Sequence, residues 1–195
     1  MTGPRAEPGA RRVDARRNRD ALVAAAGQVF AEVGVDAPLD SIARQAGVGN
    51  ATMYRNFPTR DDLLMAVLAD RYQMLAAQAG DAARASSPEA GLASWLTAFV
   101  TYLQTYRGLP EPVLATLRDH DSALSQSCKA MRTAAGRLLK RAQAAGVVRA
   151  DVNATDLFAH AAGIAWAAQR TPDDHHRTAR LLSVMIDGLR STSTG

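Results

Sequence analysis

A single cysteine, Cys128, stands in 195 residues, so no internal disulfide can form and the chain reads as one made for a reducing compartment, the cytoplasm. No apolar run reaches the about 18 residues a membrane-spanning helix needs; the longest candidate, residues 157–168, is short and carries His160. The opening MTGPRAEPGARR has no apolar centre, so no secretory leader is expected. Aromatic residues make up only 5%, and Val, Ile and Thr are too scattered for a sheet protein. Gly-rich phosphate loops, Ser/His/Asp sets and paired-carboxylate signatures are all missing. No Cys/His cluster has zinc spacing, and the neighbours His175 and His176 would point about 100° apart on a helix. These absences leave no catalytic set, no metal site and no cofactor to assign.

What is abundant is alanine, 40 residues of it, together with 21 arginines against two lysines, Lys129 and Lys140. Alanine at that level favours helix, and the whole composition (47% apolar, 22% charged) is that of a globular chain. The expectation is therefore all-α. The net charge of +4 permits a polyanionic partner.

Apolar periodicity divides the chain. Residues 1–13 hold Gly3, Pro4, Pro8 and Gly9 without a period and read as a disordered basic arm; six arginines between Arg5 and Arg19 make it either a solvated tail or a phosphate-touching one. A first helix spans about 14–33, with Leu22, Ala26, Val29, Phe30 and Val33 in one stripe and Gly34 as a left-handed cap. Short helices follow at about 39–46 and 50–56, and Thr59 opens a longer one with a capping-box-like start. Residues 80–88 read as a linker. Five more helices are expected: one carrying Leu92 to Tyr106 and closed by Gly108 and Pro110, a short one at 111–118, a long one at 122–145, one capped by Asn153, and a last one opened by Thr171-Pro172-Asp173-Asp174.

The pair of short helices carries the most information. In Ile42-Ala43-Arg44-Gln45-Ala46-Gly47-Val48, Ala43 is small where a second helix crosses, Gly47 supplies a positive φ for a sharp turn, and Val48 plugs the gap. Thr52, Tyr54 and Arg55 then project from the second helix, while Met53 and Phe57 point back to the core. This is a helix-turn-helix, with its motif at 38–57.

The stretch LDSIARQAGVGNATMYRNFPTRDDLL resembles the DNA-binding domain of the TetR/AcrR family of bacterial transcription regulators. The resemblance implies a DNA-binding domain over residues 14–75 and a ligand-binding and dimerisation domain over 84–191. Segment 122–169 is similar to the C-terminal domain of certain actinobacterial members. Implied partners are double-stranded DNA with a palindromic operator, a small-molecule effector of unknown identity, and a second copy held through the last two helices, with Ala161, Ala165, Ala168, Leu182, Met185 and Leu189 as the contact set. The implied activity is repression relieved by the effector.

On the helix-turn-helix, Asn50 suits an adenine edge or simply starts its helix, Thr52 a phosphate or thymine methyl, Arg55 guanine or phosphate, and Tyr54 the DNA backbone. Ala51 shares that face, Arg60 is placed to anchor a phosphate near the next helix N-terminus, and Arg16 and Arg19 extend the basic arm. Pro38 and Gly49 stand where the family often has hydroxyl caps. For the effector cavity the candidates are Trp95, Phe99, Tyr102, Arg118, His120, Met131, His160 and Trp166; each also fits ordinary core, His160 as a hydrogen-bonded histidine on an apolar face. Two other readings are a helical metal-dependent hydrolase, which His120-Asp121 mimics without an earlier histidine ligand, and an interaction adaptor that does not bind DNA.

Overall fold

Nine helices and no strand are present among the described residues, which in this computed structural model are 8–85, 87–106, 109, 111–170 and 176–191. In chain order they are α1 (Pro8–Val33), α2 (Leu39–Gln45), α3 (Asn50–Asn56), α4 (Arg60–Ala82), α5 (Pro88–Thr105), α6 (Glu111–Arg118), α7 (Ala123–Ala144), α8 (Ala154–Gln169) and α9 (Arg177–Leu189). The all-α reading holds.

Two segments differ from the sequence reading, and each difference has a local cause. The arm expected to be disordered through residue 13 is helical from Pro8 onward. Proline is favourable at the first helical position, where its missing N–H costs nothing, and the arginines that follow are good helix formers. The linker expected over 80–88 shrinks to 83–87, because α4 continues to Ala82 and Ser87 caps α5 by accepting from the Ala90 N–H at 3.2 Å, with Pro88 at the first turn. The cap expected at Thr171 and the stop at Gly108 and Pro110 lie outside the described residues. Elsewhere the caps fall as read. Thr59 and Asp62 form a reciprocal capping box at α4, and Asn153 and Asp156 form another at α8.

The core is organised by α4. Its stripe Leu63, Leu64, Val67, Leu68, Tyr72, Leu75 and Ala79 is buried. It packs most extensively against α7, and also against α5 and α1. Leu22, Ala26 and Phe30 of α1 and Met131, Ala135 and Leu138 of α7 are almost wholly buried. Between α4, α5 and α8 the aromatic side chains form one connected group. Trp95 stacks on Phe99 at 5.2 Å, Phe158 meets Phe99 edge-on at 5.2 Å, and Tyr102 lies 5.3 Å from both Tyr72 and Tyr106. The Trp95 indole N–H donates to the Leu75 carbonyl at 2.9 Å, so the buried ring leaves no polar atom unsatisfied.

The end of α9 is stapled back onto the body. The Arg149 N–H donates to the Leu189 carbonyl at 2.9 Å, the Ser191 N–H donates to that of Val147 at 3.3 Å, and Arg190 pairs with Glu89 at 2.7 Å.

Gly91 marks the closest approach of α5 to the end of α4. A Cβ built there would lie 2.6 Å from the Ala82 backbone oxygen, which must then shift. At Gly47, by contrast, nothing lies within 4 Å and only the positive φ of 66° resists substitution. Gly91→Ala is therefore expected to cost about 1–3 kcal/mol and Gly47→Ala about 1 kcal/mol. Urea unfolding of both variants beside the parent checks the order.

Candidate nucleic-acid interface

The turn between α2 and α3 is closed by backbone. Gly47 takes φ +66°, its N–H donates to the Arg44 carbonyl at 3.1 Å, and the Val48 N–H reaches back to Ala43 at 2.9 Å. This six-to-one bond is a Schellman closure, which satisfies the carbonyls at the end of α2. Ile42 and Ala43 are wholly buried, and Met53 and Phe57 are 1% exposed, as their spacing predicts. With Met53 turned inward, the opposite side of α3 faces solvent: Asn50, Ala51, Tyr54 and Arg55 are all exposed, at helical spacings of one and four that place them on one face. Tyr54 keeps 48% of its surface open, large for an aromatic residue with an apolar core a turn away.

Thr52 sits half-buried beside this face and accepts from Arg55 Nη2 at 2.8 Å, so the guanidinium is drawn along the helix. Asn56 donates to the Thr52 carbonyl at 2.8 Å and helps to close the last turn. As Pro38 and Gly49 foretell, neither α2 nor α3 has a side-chain N-cap bond.

The arginines divide. Arg16 is exposed, with only a 4.0 Å approach to Asp20. Arg19 lays its guanidinium 4.5 Å over the centroid of the Phe57 ring, a cation–π contact that ties α1 to the end of α3. Arg60 is built into the fold: its Nη1 donates to the Val35 carbonyl at 2.7 Å and to that of Ala37 at 2.5 Å, clamping the loop that leads into α2. The N–H groups of Thr59 and Asp62 are engaged in their capping box. The sequence places Arg60 correctly beside the helix start, but its long-range bonds to residues 35 and 37 carry no local signal. The Gln45 to Gln28 bond at 2.8 Å, joining α2 to α1, is invisible for the same reason.

The eight residues expected around an effector do not gather at one cavity. Trp95, Phe99, Tyr102 and Met131 are buried in the core. His120 lines an open groove of about 570 Å³ with Cys128, Lys129 and Arg132, and Arg118 is exposed at the end of α6. His160 is exposed rather than on an apolar face. The buried stripe of α8 runs through Leu157, Phe158, Ala161, Ile164 and Ala165, leaving His160 outside with Nδ1 2.9 Å from the Asp156 carbonyl oxygen. Trp166 is 62% exposed, with Arg170 4.9 Å above its ring. The contact set read for a second copy needs correction too. Ala161, Ala165, Leu182 and Leu189 are buried within the protomer, which needs them for its own core.

Tyr72 of α4 and Tyr102 of α5 are buried side by side, with Cys128 of α7 half-buried. Burial pushes the Tyr72 phenol up from 10.0 to about 12, drives Tyr102 further upward, and raises the Cys128 thiol. A thiol held protonated in this way is a poor nucleophile. Among the described residues no group of three or more His, Cys, Asp or Glu side chains is arranged to hold a metal ion, and no helix is long and apolar enough to cross a membrane.

Comparison with known proteins agrees with this geometry. Residues 22–67 match the family model of bacterial regulatory proteins of the tetR family, and residues 87–191 match the C-terminal domain of SbtR-like transcriptional regulators. A TetR transcriptional regulator from Streptomyces coelicolor is 37% identical, with a TM-score of 0.74 over 90% of this chain and 99% of that one. A TetR regulatory protein from Mycobacterium vanbaalenii is 31% identical, with a TM-score of 0.65 over 92% and 98%. The uncharacterised HTH-type regulator TtgW of Pseudomonas putida is 43% identical over 63 residues, 32% of this chain and about half (47%) of that protein. The chain belongs to the TetR family of DNA-binding transcriptional regulators.

Two outcomes test the site as built. Arg60→Ala is expected to lower stability by about 1.5–3 kcal/mol, the worth of hydrogen bonds from a charged donor, whereas Arg55→Ala on the open face is expected to change it by less than about 0.5 kcal/mol; urea denaturation separates them. Because the folded Tyr72 keeps its proton above the pH at which an unfolded tyrosine loses it, its contribution is complete below pH 10 and disappears as pH rises toward about 12. Stability measured at a series of pH values is expected to fall less steeply through that window in Tyr72→Phe than in the parent.

Proposed function

We propose that this regulator is a dimeric repressor that binds a palindromic operator and is released from it by a small-molecule effector. The observation that carries the reading is the sidedness of α3: Met53 and Phe57 anchor it, and Asn50, Ala51, Tyr54 and Arg55 face outward together. B-DNA's major groove admits a helix presented in this way. In this reading Asn50 pairs with an adenine edge and Ala51 packs against a thymine methyl, while Arg55 takes guanine or phosphate. Tyr54 and Thr52 offer hydroxyls to the backbone, and Arg16 reaches phosphate from α1. Arg19 and Arg60 hold the reading head in shape through Phe57 and the 35–37 loop, with their remaining charge adding to the attraction for phosphate.

The second copy docks on the outward sides of α8 and α9. There Trp166 and Val184, 62% and 70% exposed, are flanked by exposed Ala159, Ala162 and Gly163. Exposed apolar residues of that size beside small ones suit helix against helix packing. A two-fold axis there sets the half-sites about 34 Å apart, or a multiple of that. The groove at His120, Lys129 and Arg132 is a candidate place for a polar or anionic effector.

Fluorescence anisotropy with the promoter region beside the chain's own gene tests the proposal. Tyr54→Ala and Arg55→Ala are each expected to weaken binding by about 1–3 kcal/mol, with circular dichroism unchanged, and a phosphate-contacting side chain is expected to reduce the salt slope by about one on removal. Trp166→Glu is expected to sediment as a monomer and to lose tight binding to the two-half-site DNA. Undiminished DNA binding in the Tyr54→Ala, Arg55→Ala double variant overturns the reading.

A further inference from the structure

A cleft of about 290 Å³ opens where α1, α4 and α5 meet, on ground that the reading head and the body share. Its floor is Leu75, Tyr102 and Tyr106, all buried, and its walls are Ala31 of α1 and Met74 of α4, the latter 43% exposed. Arg71 stands at its edge, half-buried. The guanidinium lies over Gly27 of α1, about 3.5 Å from where a Cβ would sit, and its hydrogen-bond partner is the Met74 sulfur at 3.5 Å. A thioether is a weak acceptor, and no carboxylate lies within ion-pair distance of Arg71 among the described residues. Arg60, equally half-buried, has two carbonyls for its guanidinium. A half-buried guanidinium without an anion, set above an apolar floor with aromatic rings, is a built receptor for one negative charge attached to a flat apolar body.

We propose that this cleft binds a small aromatic or arylalkyl carboxylate, with its carboxylate paired to Arg71 and its ring seated on Tyr102, Tyr106 and Met74. The volume limits the occupant to roughly one ring and a short chain, since it falls at the small end of ligand pockets. The site is separate from the groove at His120, which lies against α7. An occupant also touches α1 and α5 at once, beside the Tyr106 hydroxyl that donates to the Gly27 carbonyl at 3.4 Å. Filling the cleft therefore bears on the joint between the two halves.

Isothermal titration of the full chain with benzoate and 4-phenylbutyrate, beside the uncharged amides of both, tests the proposal without any DNA. At least one carboxylate is expected to bind saturably, at least about tenfold tighter than its amide. Arg71→Gln is expected to weaken it at least about tenfold, the loss of about 1.4 kcal/mol or more. Thr101→Trp, which fills the cleft from an exposed position on α5, is expected to abolish binding with the helical spectrum unchanged. His120→Ala, in the other groove, is expected to leave the affinity as it was. Absence of saturable binding for both carboxylates, equal affinity for the amides, or affinity unchanged in Arg71→Gln or Thr101→Trp overturns it. Because the readout is ligand heat alone, failure here leaves the operator reading to its own experiment, and failure of DNA binding leaves this one standing.

Discussion

The structure depends on one helix being shared. α4 begins at the capping box that ends the helix-turn-helix and continues for 23 residues into the body, with one apolar stripe from Leu63 to Ala79. Because that stripe packs on α1 and also on α7 and α5, no break in packing separates the part that reads DNA from the part behind it. The head borrows its orientation from this continuity. Arg60, in the first turn of α4, grips the loop into α2, and Arg19 of α1 covers Phe57 at the exit of α3. The outward face of α3 is thus fixed from both ends by charged side chains whose apolar or backbone partners lie far away in sequence.

The contact between the Tyr72 and Tyr102 rings, 5.3 Å apart, adds a second kind of continuity, between α4 and α5. Tyr102 forms part of the floor of the α1/α4/α5 cleft, and Cys128 lines the groove on the α7 side. The cleft thus rests on α4 and α5, whereas the groove is built from α6 and α7.

Much of this is legible in the amino-acid sequence. The helix-turn-helix is, because its determinants are local: a small residue at Ala43, a positive-φ glycine at 47, and apolar positions at 42, 53 and 57 all lie within sixteen residues. The capping boxes at Thr59 and Asn153 are legible for the same reason. What stayed hidden depends on distance along the chain. The Arg60 clamp joins positions 25 and 23 apart, and the Tyr106 contact to Gly27 joins positions 79 apart. The apolar stripe of α8 and α9 misled in an instructive way. Periodicity shows that a face is covered but not by what, and here the protomer itself covers Ala161, Ala165, Leu182 and Leu189. Arg71 carried a faint signal, a charge four residues after Val67 and four before Leu75 on an otherwise apolar stripe.

The sharing of α4 also has a consequence for biosynthesis. Translation delivers α1 through α4 first, yet the main cover for the stripe of α4 is α7, which ends at Ala144. At typical elongation rates of about 5–20 residues per second, the ribosome leaves that stripe open for several seconds. During that interval Leu68, Tyr72 and Leu75 are a surface that trigger-factor-like holdases or a neighbouring nascent chain can meet, so the order of synthesis exposes the seam on which the finished protein relies.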